Sequence, residues 1–120
     1  MANVLIVDDS STERKILISY FQELGITVNT AESGEEALEK LAGSTPDLII
    51  LDVVLPGKSG FEVCREIKSG GNTAKIPIII CSTKGSEMDK FWGMKQGADA
   101  YIPKPVDKEE LFSTVKKLIR

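Results

Sequence analysis

The sequence predicts an α/β domain: a parallel sheet of five strands with helices covering both faces. Three observations predict it. Five short apolar segments alternate with five stretches of helical periodicity along 120 residues. The first, third and fourth segments are Val-, Ile- and Leu-rich almost throughout, as strands covered on both faces must be. Four of the helical stretches follow a Ser or Asp set three residues ahead of a Glu, the pattern of a helix start.

The elements follow in order. Asn3–Asp8 is the first predicted strand. Ser10 and Glu13 form a capping box for a helix whose apolar face is Ile16, Leu17, Tyr20, Phe21 and Leu24. Gly25 stops it. Thr27–Ala31 is the second strand. Ser33 and Glu36 open a helix that buries Ala37, Leu38 and Leu41 and ends at Gly43. Asp47–Asp52 is the third strand, and Pro56-Gly57 reads as a tight turn behind it. Ser59 and Glu62 open a helix with Phe61, Cys64 and Ile67 inward. Ile76–Cys81 is the fourth strand. Phe91, Met94 and Ala98 are the expected inner face of the fourth helix. Trp92, beside that stripe, is read as edge packing, with an anchor for a partner protein as the alternative. Asp99–Pro103 is the fifth strand. Asp107 and Glu110, a variant of the box, open a last helix carrying Leu111, Phe112, Val115, Leu118 and Ile119. Strand–helix alternation on this scale implies a doubly wound sheet with right-handed crossovers, and residues 1–120 read as one domain.

Composition excludes several functions. With 15 basic and 18 acidic residues the net charge is -3, which opposes non-specific nucleic-acid binding. No apolar run approaches the roughly 20 residues of a membrane span. The N-terminal "MANVLIVDD" lacks the basic region and cleavage pattern of a signal peptide. Cys64 and Cys81 fall in predicted helix and strand interiors, so reduced thiols and a cytoplasmic location are expected. The chain has no histidine, which removes His-based metal sites and His-dependent catalytic triads.

In an open parallel α/β sheet, ligands bind beyond the carboxyl ends of the strands, where strand order reverses. In a 2-1-3-4-5 sheet, Asp8 and Asp9 after the first strand would meet Asp52 after the third. Ser82 and Thr83 follow the fourth strand and Lys104 the fifth. Taken singly, each reads as a solvated turn residue or a helix cap. Together they put three carboxylates, a hydroxyl and a lysine on one edge. Side-by-side carboxylates repel unless a cation lies between them, and a hard divalent ion such as Mg²⁺ takes oxygen ligands. Such a site suits phosphoryl transfer, which is mostly positioning and charge neutralisation.

The stretches "LIVDDS", "DLIILDVVLPGKSGFE", "IPIIICSTKG", "GADAYIPKP" and "KEELFSTVKKLI" resemble, in order, the receiver (CheY-like) domain of two-component response regulators. The resemblance implies a flavodoxin-like fold and a switch that signals by protein–protein contact, with no attached output domain. Asp52 would be the phosphoacceptor, taking its phosphoryl group from a histidine kinase or phosphotransfer protein. Asp8, Asp9, Asp52 and the backbone carbonyl of Val54 would hold Mg²⁺. Ser82 would be the switch hydroxyl, Lys104 the phosphoryl partner and Tyr101 the aromatic that swings with the switch. Val54 and Lys84 would flank the path of the hydrolytic water. A cis Lys104–Pro105 bond is implied too. The downstream protein target would meet the face made by the fourth helix, fifth strand and fifth helix. "MDKFWGMKQGADAY" further resembles the receivers of twitching-motility and chemotaxis-like systems.

Two other readings compete. A Mg²⁺-dependent phosphatase with an Asp nucleophile would carry an acid two residues after it, where this chain has Val54. A flavin or nucleotide binder would need glycines after the first strand, where this chain has "DDSST".

Overall fold

A computed structural model of the chain describes residues 2–119. The elements alternate as β1 (Asn3–Val7), α1 (Ser11–Glu23), β2 (Thr27–Ala31), α2 (Gly34–Gly43), β3 (Leu48–Leu51), α3 (Gly60–Ser69), β4 (Ile78–Ser82), α4 (Glu87–Lys95), β5 (Ala100–Pro103) and α5 (Lys108–Leu118). The five strands are all parallel, in the order β2-β1-β3-β4-β5. This is the (βα)5 architecture and strand order expected from the sequence.

Alternating side chains divide the core into two layers. Val4, Ile6, Ile50, Ile79 and Ile102 pack with Leu17 and Phe21 of α1 and Leu111 and Val115 of α5. Leu5, Val7, Ile49, Leu51 and Ile80 pack with Ala37 and Leu41 of α2 and Val63, Cys64 and Ile67 of α3. Burying each such aliphatic side chain contributes about 1.5–3 kcal/mol, which is why β1, β3 and β4 read as continuous apolar runs. The strand ends differ from expectation by one or two residues: β3 excludes Asp47 and Asp52, and β4 runs through Ser82.

Helix starts follow their caps, but less symmetrically than capping boxes imply. Ser10, Ser33, Ser59 and Asp107 each accept the N–H three residues on. The returning bond differs: Glu36 accepts from the N–H of Glu32, and the N–H of Ser10 goes to Asp8 Oδ1. The reciprocal box lies at Ser86 and Asp89, where the sequence reading placed none.

The fourth helix corrects a second expectation. Phe91 and Met94 do not face inward: they are 57% and 47% exposed, and Trp92 is 50% exposed rather than packed at an edge. The reason is Gly93. A Cβ there would sit 2.8 Å from carbons of the Tyr101 ring, so α4 rests on the sheet through its smallest residue. The flanking side chains then fan outward into solvent. Ala98, just past the helix, is buried as expected.

Candidate functional site

The site begins with strand register. Val7 pairs with Leu51, so Asp8 and Asp52, the residues that directly follow β1 and β3, emerge side by side. Gly60 is required here: a Cβ would lie 1.9 Å from the Asp52 carbonyl oxygen, so only glycine lets α3 start against the end of β3. Carboxylate oxygens of Asp8, Asp9 and Asp52 lie within 4.8 Å of one another. Asp8 and Asp52 are buried and Asp9 is exposed. The three predicted acids therefore do converge.

Lys104 joins them from beyond β5. Its Nζ donates to Asp8 Oδ2 at 2.7 Å and to Asp52 Oδ2 at 3.0 Å, with 7% of its side chain exposed. Burial alone would lower the lysine pKa; the bonds to Asp8 and Asp52 outweigh it and hold the value above the ordinary one. The other carboxylate oxygens of Asp8 and Asp52 are also engaged. Asp8 Oδ1 accepts from the Ser10 N–H at 2.9 Å, and Asp52 Oδ1 from the Val54 N–H at 3.3 Å. Arg14 donates to the Asp8 carbonyl at 2.7 Å, bracing the turn. The Lys104–Pro105 peptide is cis.

One ammonium does not balance three carboxylates. The oxygen-only donor set, part buried and part open, fits a hard divalent cation that keeps water or phosphoryl oxygens in its shell. Asp8, Asp9, Asp52, Val54, Thr83 and Lys104 line the same cleft of about 460 Å³.

The switch candidates lie beside this cleft and not in its wall. Ser82 is fully buried, and its Oγ accepts from the Lys84 N–H at 3.2 Å rather than bonding Asp52 or Lys104. The half-buried Tyr101 donates its hydroxyl to the Lys84 carbonyl. Burial, helped by the charges of Asp89 and Asp52, pushes the Tyr101 phenol up to about 12. One residue of the β4–α4 loop is thus held at its N–H by Ser82 and at its C=O by Tyr101. Cys64 and Cys81 are buried, and burial pushes the Cys64 thiol up to about 11.

Sequence reasoning missed Glu13, Arg14 and Gly60 as parts of the site. Glu13 was visible only as a cap residue. Arg14 sits one turn into α1, where an arginine reads as solvated. Gly60 could have been found in "KSGFE", as a glycine opening a helix directly after the acceptor loop.

Comparison with known proteins agrees with this geometry. Residues 4–116 match the response regulator receiver domain family. The chain is 40% identical to Protein PilH of Pseudomonas aeruginosa over 99% of its own length and 98% of that protein. It is 38% identical to response regulator MprA of Mycobacterium ulcerans, but spans 50% of that longer protein. Among solved structures, a response regulator from Chloroflexus aurantiacus superposes with a TM-score of 0.94 at 35% identity, covering 98% of this chain and 96% of that one. Chemotaxis response regulator CheY4 of Vibrio cholerae gives 0.91 at 34% identity, covering 99% of each chain. The chain belongs to the response regulator receiver domain family and is a signalling protein of the two-component type.

Proposed function

We propose that Asp52 is the phosphoacceptor of this receiver. The observation that carries the reading is the sharing of Lys104 between Asp52 and Asp8, beside the exposed Asp9. A carboxylate oxygen of Asp52 attacks phosphorus in a phosphohistidine on a partner kinase or phosphotransfer protein. The O–P bond forms as the P–N bond breaks, and the imidazole keeps the electron pair. Lys104 neutralises charge on the transferred group. Mg²⁺ held by Asp8, Asp9, Asp52 and the Val54 carbonyl would neutralise further charge and orient the phosphoryl oxygens. The chain catalyses only its own phosphorylation and dephosphorylation.

The output is a change of shape read by a protein. Phosphorylated Asp52 draws the Ser82 hydroxyl toward it, releasing the Lys84 N–H that Ser82 now accepts. The Lys84 carbonyl, held by Tyr101, moves with it, so the loop biases the ring against α4. The reading face is α4–β5–α5. Met88, Phe91 and Trp92 stand exposed there at helical spacing, an apolar stripe that suits a protein partner and not a nucleic acid. The resemblance of "MDKFWGMKQGADAY" to such receivers, beside the match to PilH along nearly its whole length and the likeness to the chemotaxis response regulator CheY4, favours a place in a twitching-motility or chemotaxis-like system. A cytoplasmic location follows from this reading, and no helix among the described residues is long and apolar enough to cross a membrane.

The test is intact mass after acetyl phosphate treatment with Mg²⁺, beside Asp52→Asn and an EDTA control. The expected result is one phosphoryl group on the wild type, lost in the variant and in EDTA. Stoichiometric labelling of Asp52→Asn would reject Asp52 as the acceptor.

A further inference from the structure

Glu13 occupies the third position of α1, three residues after the cap residue Ser10. In a full capping box its carboxylate would accept the Ser10 N–H. That N–H is already donated to Asp8 Oδ1, while the Ser10 hydroxyl still accepts from the Glu13 N–H at 3.2 Å. The acids at the same position of the other helices vary: Glu36 accepts from the Glu32 N–H, Asp89 completes its box with Ser86, and Glu62 and Glu110 return no bond to their caps, so the placement of Glu13 over the cleft is what sets it apart among the described residues. The Glu13 carboxylate instead turns over the cleft. It lines the cleft with Asp52 and Lys104, and its Oε1 lies 3.8 Å from Lys104 Nζ. Its side chain is 30% exposed, against 7% for Lys104.

We propose that Glu13 is a fourth acid of this site, a positioning and charge-tuning residue that favours the cation and opposes the phosphoryl anion. The proposal rests on reading the cleft as a phosphoacceptor site. At 3.8 Å the contact with Lys104 is longer than a hydrogen bond, so Glu13 acts through its field and is not a fixed partner. Its oxygens are also outside the converging set of Asp8, Asp9 and Asp52. A negative charge at this rim strengthens binding of a divalent cation deeper in the cleft. The same charge repels an incoming dianionic phosphoryl group and competes with it for Lys104.

The sign pattern separates this role from a structural one. Glu13→Gln keeps the side-chain volume and leaves the Ser10 cap bond, which uses the backbone of residue 13, intact. Titration calorimetry at low ionic strength would measure Mg²⁺ alone, then beryllofluoride at saturating Mg²⁺. The expected result is a Mg²⁺ dissociation constant raised roughly twofold to tenfold and a beryllofluoride constant lowered by a similar factor. Both shifts shrink at about 1 M salt, where the screening length falls to roughly 3 Å. Glu13→Lys enlarges both shifts in the same directions. Unchanged constants, or both ligands weakened together, would overturn the proposal while leaving the phosphoacceptor reading intact. A wild type that binds neither ligand would overturn both.

Discussion

Lys68 and Lys104 mark opposite ends of the sheet, and they are balanced differently. At the amino end, Lys68 Nζ donates to Asp99 Oδ2 at 2.9 Å and to the Ile76 carbonyl at 2.8 Å. Asp99 Oδ2 also accepts the Ile78 N–H at 2.8 Å, so one cation meets one anion and the backbone takes up the rest. At the carboxyl end, Lys104 faces Asp8 and Asp52 directly, with Asp9 and Glu13 close by. The first network is closed and ties α3 to β4 and β5. The second carries surplus negative charge in a partly buried place. A buried surplus of one sign is costly unless something else supplies positive charge, so the imbalance marks the carboxyl end, and not the amino end, as the candidate ligand site.

The largest expected effect comes from removing each lysine in turn. Lys104→Met leaves Asp8 and Asp52 buried without their cation and costs about 3–5 kcal/mol in Mg²⁺-free buffer. Lys68→Met leaves Asp99 able to hydrate and costs about 1 kcal/mol. Urea unfolding of both variants checks the contrast, and equal losses would break it. Saturating Mg²⁺ recovers part of the loss in the first variant and none in the second.

A smaller effect has opposite signs at the two ends. Asp99→Asn weakens a balanced pair and destabilises the protein by about 1 kcal/mol. Asp9 makes no hydrogen bond or ion pair among the described residues, so Asp9→Asn relieves repulsion and raises Mg²⁺-free stability by about 0.5 kcal/mol. The same change weakens Mg²⁺ binding. A loss of stability in Mg²⁺-free Asp9→Asn would show that the surplus charge carries no strain.

The smallest effect is a pH dependence. The folded pKa of Lys104 is raised, so its contribution is complete below the ordinary lysine value and fades as pH rises through the raised one. The stability gap between wild type and Lys104→Met should therefore stay level from about pH 7 to about pH 10 and narrow above that range. A gap that narrows already near neutral pH would contradict a lysine held charged by Asp8 and Asp52.

Much of this was legible beforehand. The apolar runs of β1, β3 and β4 had one interpretation because both faces of those strands are covered. Asp8, Asp52 and Lys104 could be placed because each directly follows a strand whose end was readable. The inner face of α4 was misjudged because period and hydrophobicity do not reveal which side of a helix meets the sheet. That side was settled by Gly93 against Tyr101. Glu13 reads as a cap residue because the sequence does not display its competitor: the Ser10 N–H goes to Asp8 in the preceding turn.

Local pattern alone determined the number, kind and order of the elements, four of the five helix starts and the strand ends that bear acids. Those features depend on neighbours a few residues apart, which the sequence displays directly. Tertiary structure decided which acids share Lys104, where Glu13 points and which side of α4 faces solvent. Lys104 meets Asp8 across 96 residues and Asp52 across 52, and such partners are set by strand register and sheet order. The surplus charge at the carboxyl end exists only once the chain has folded to bring those residues together.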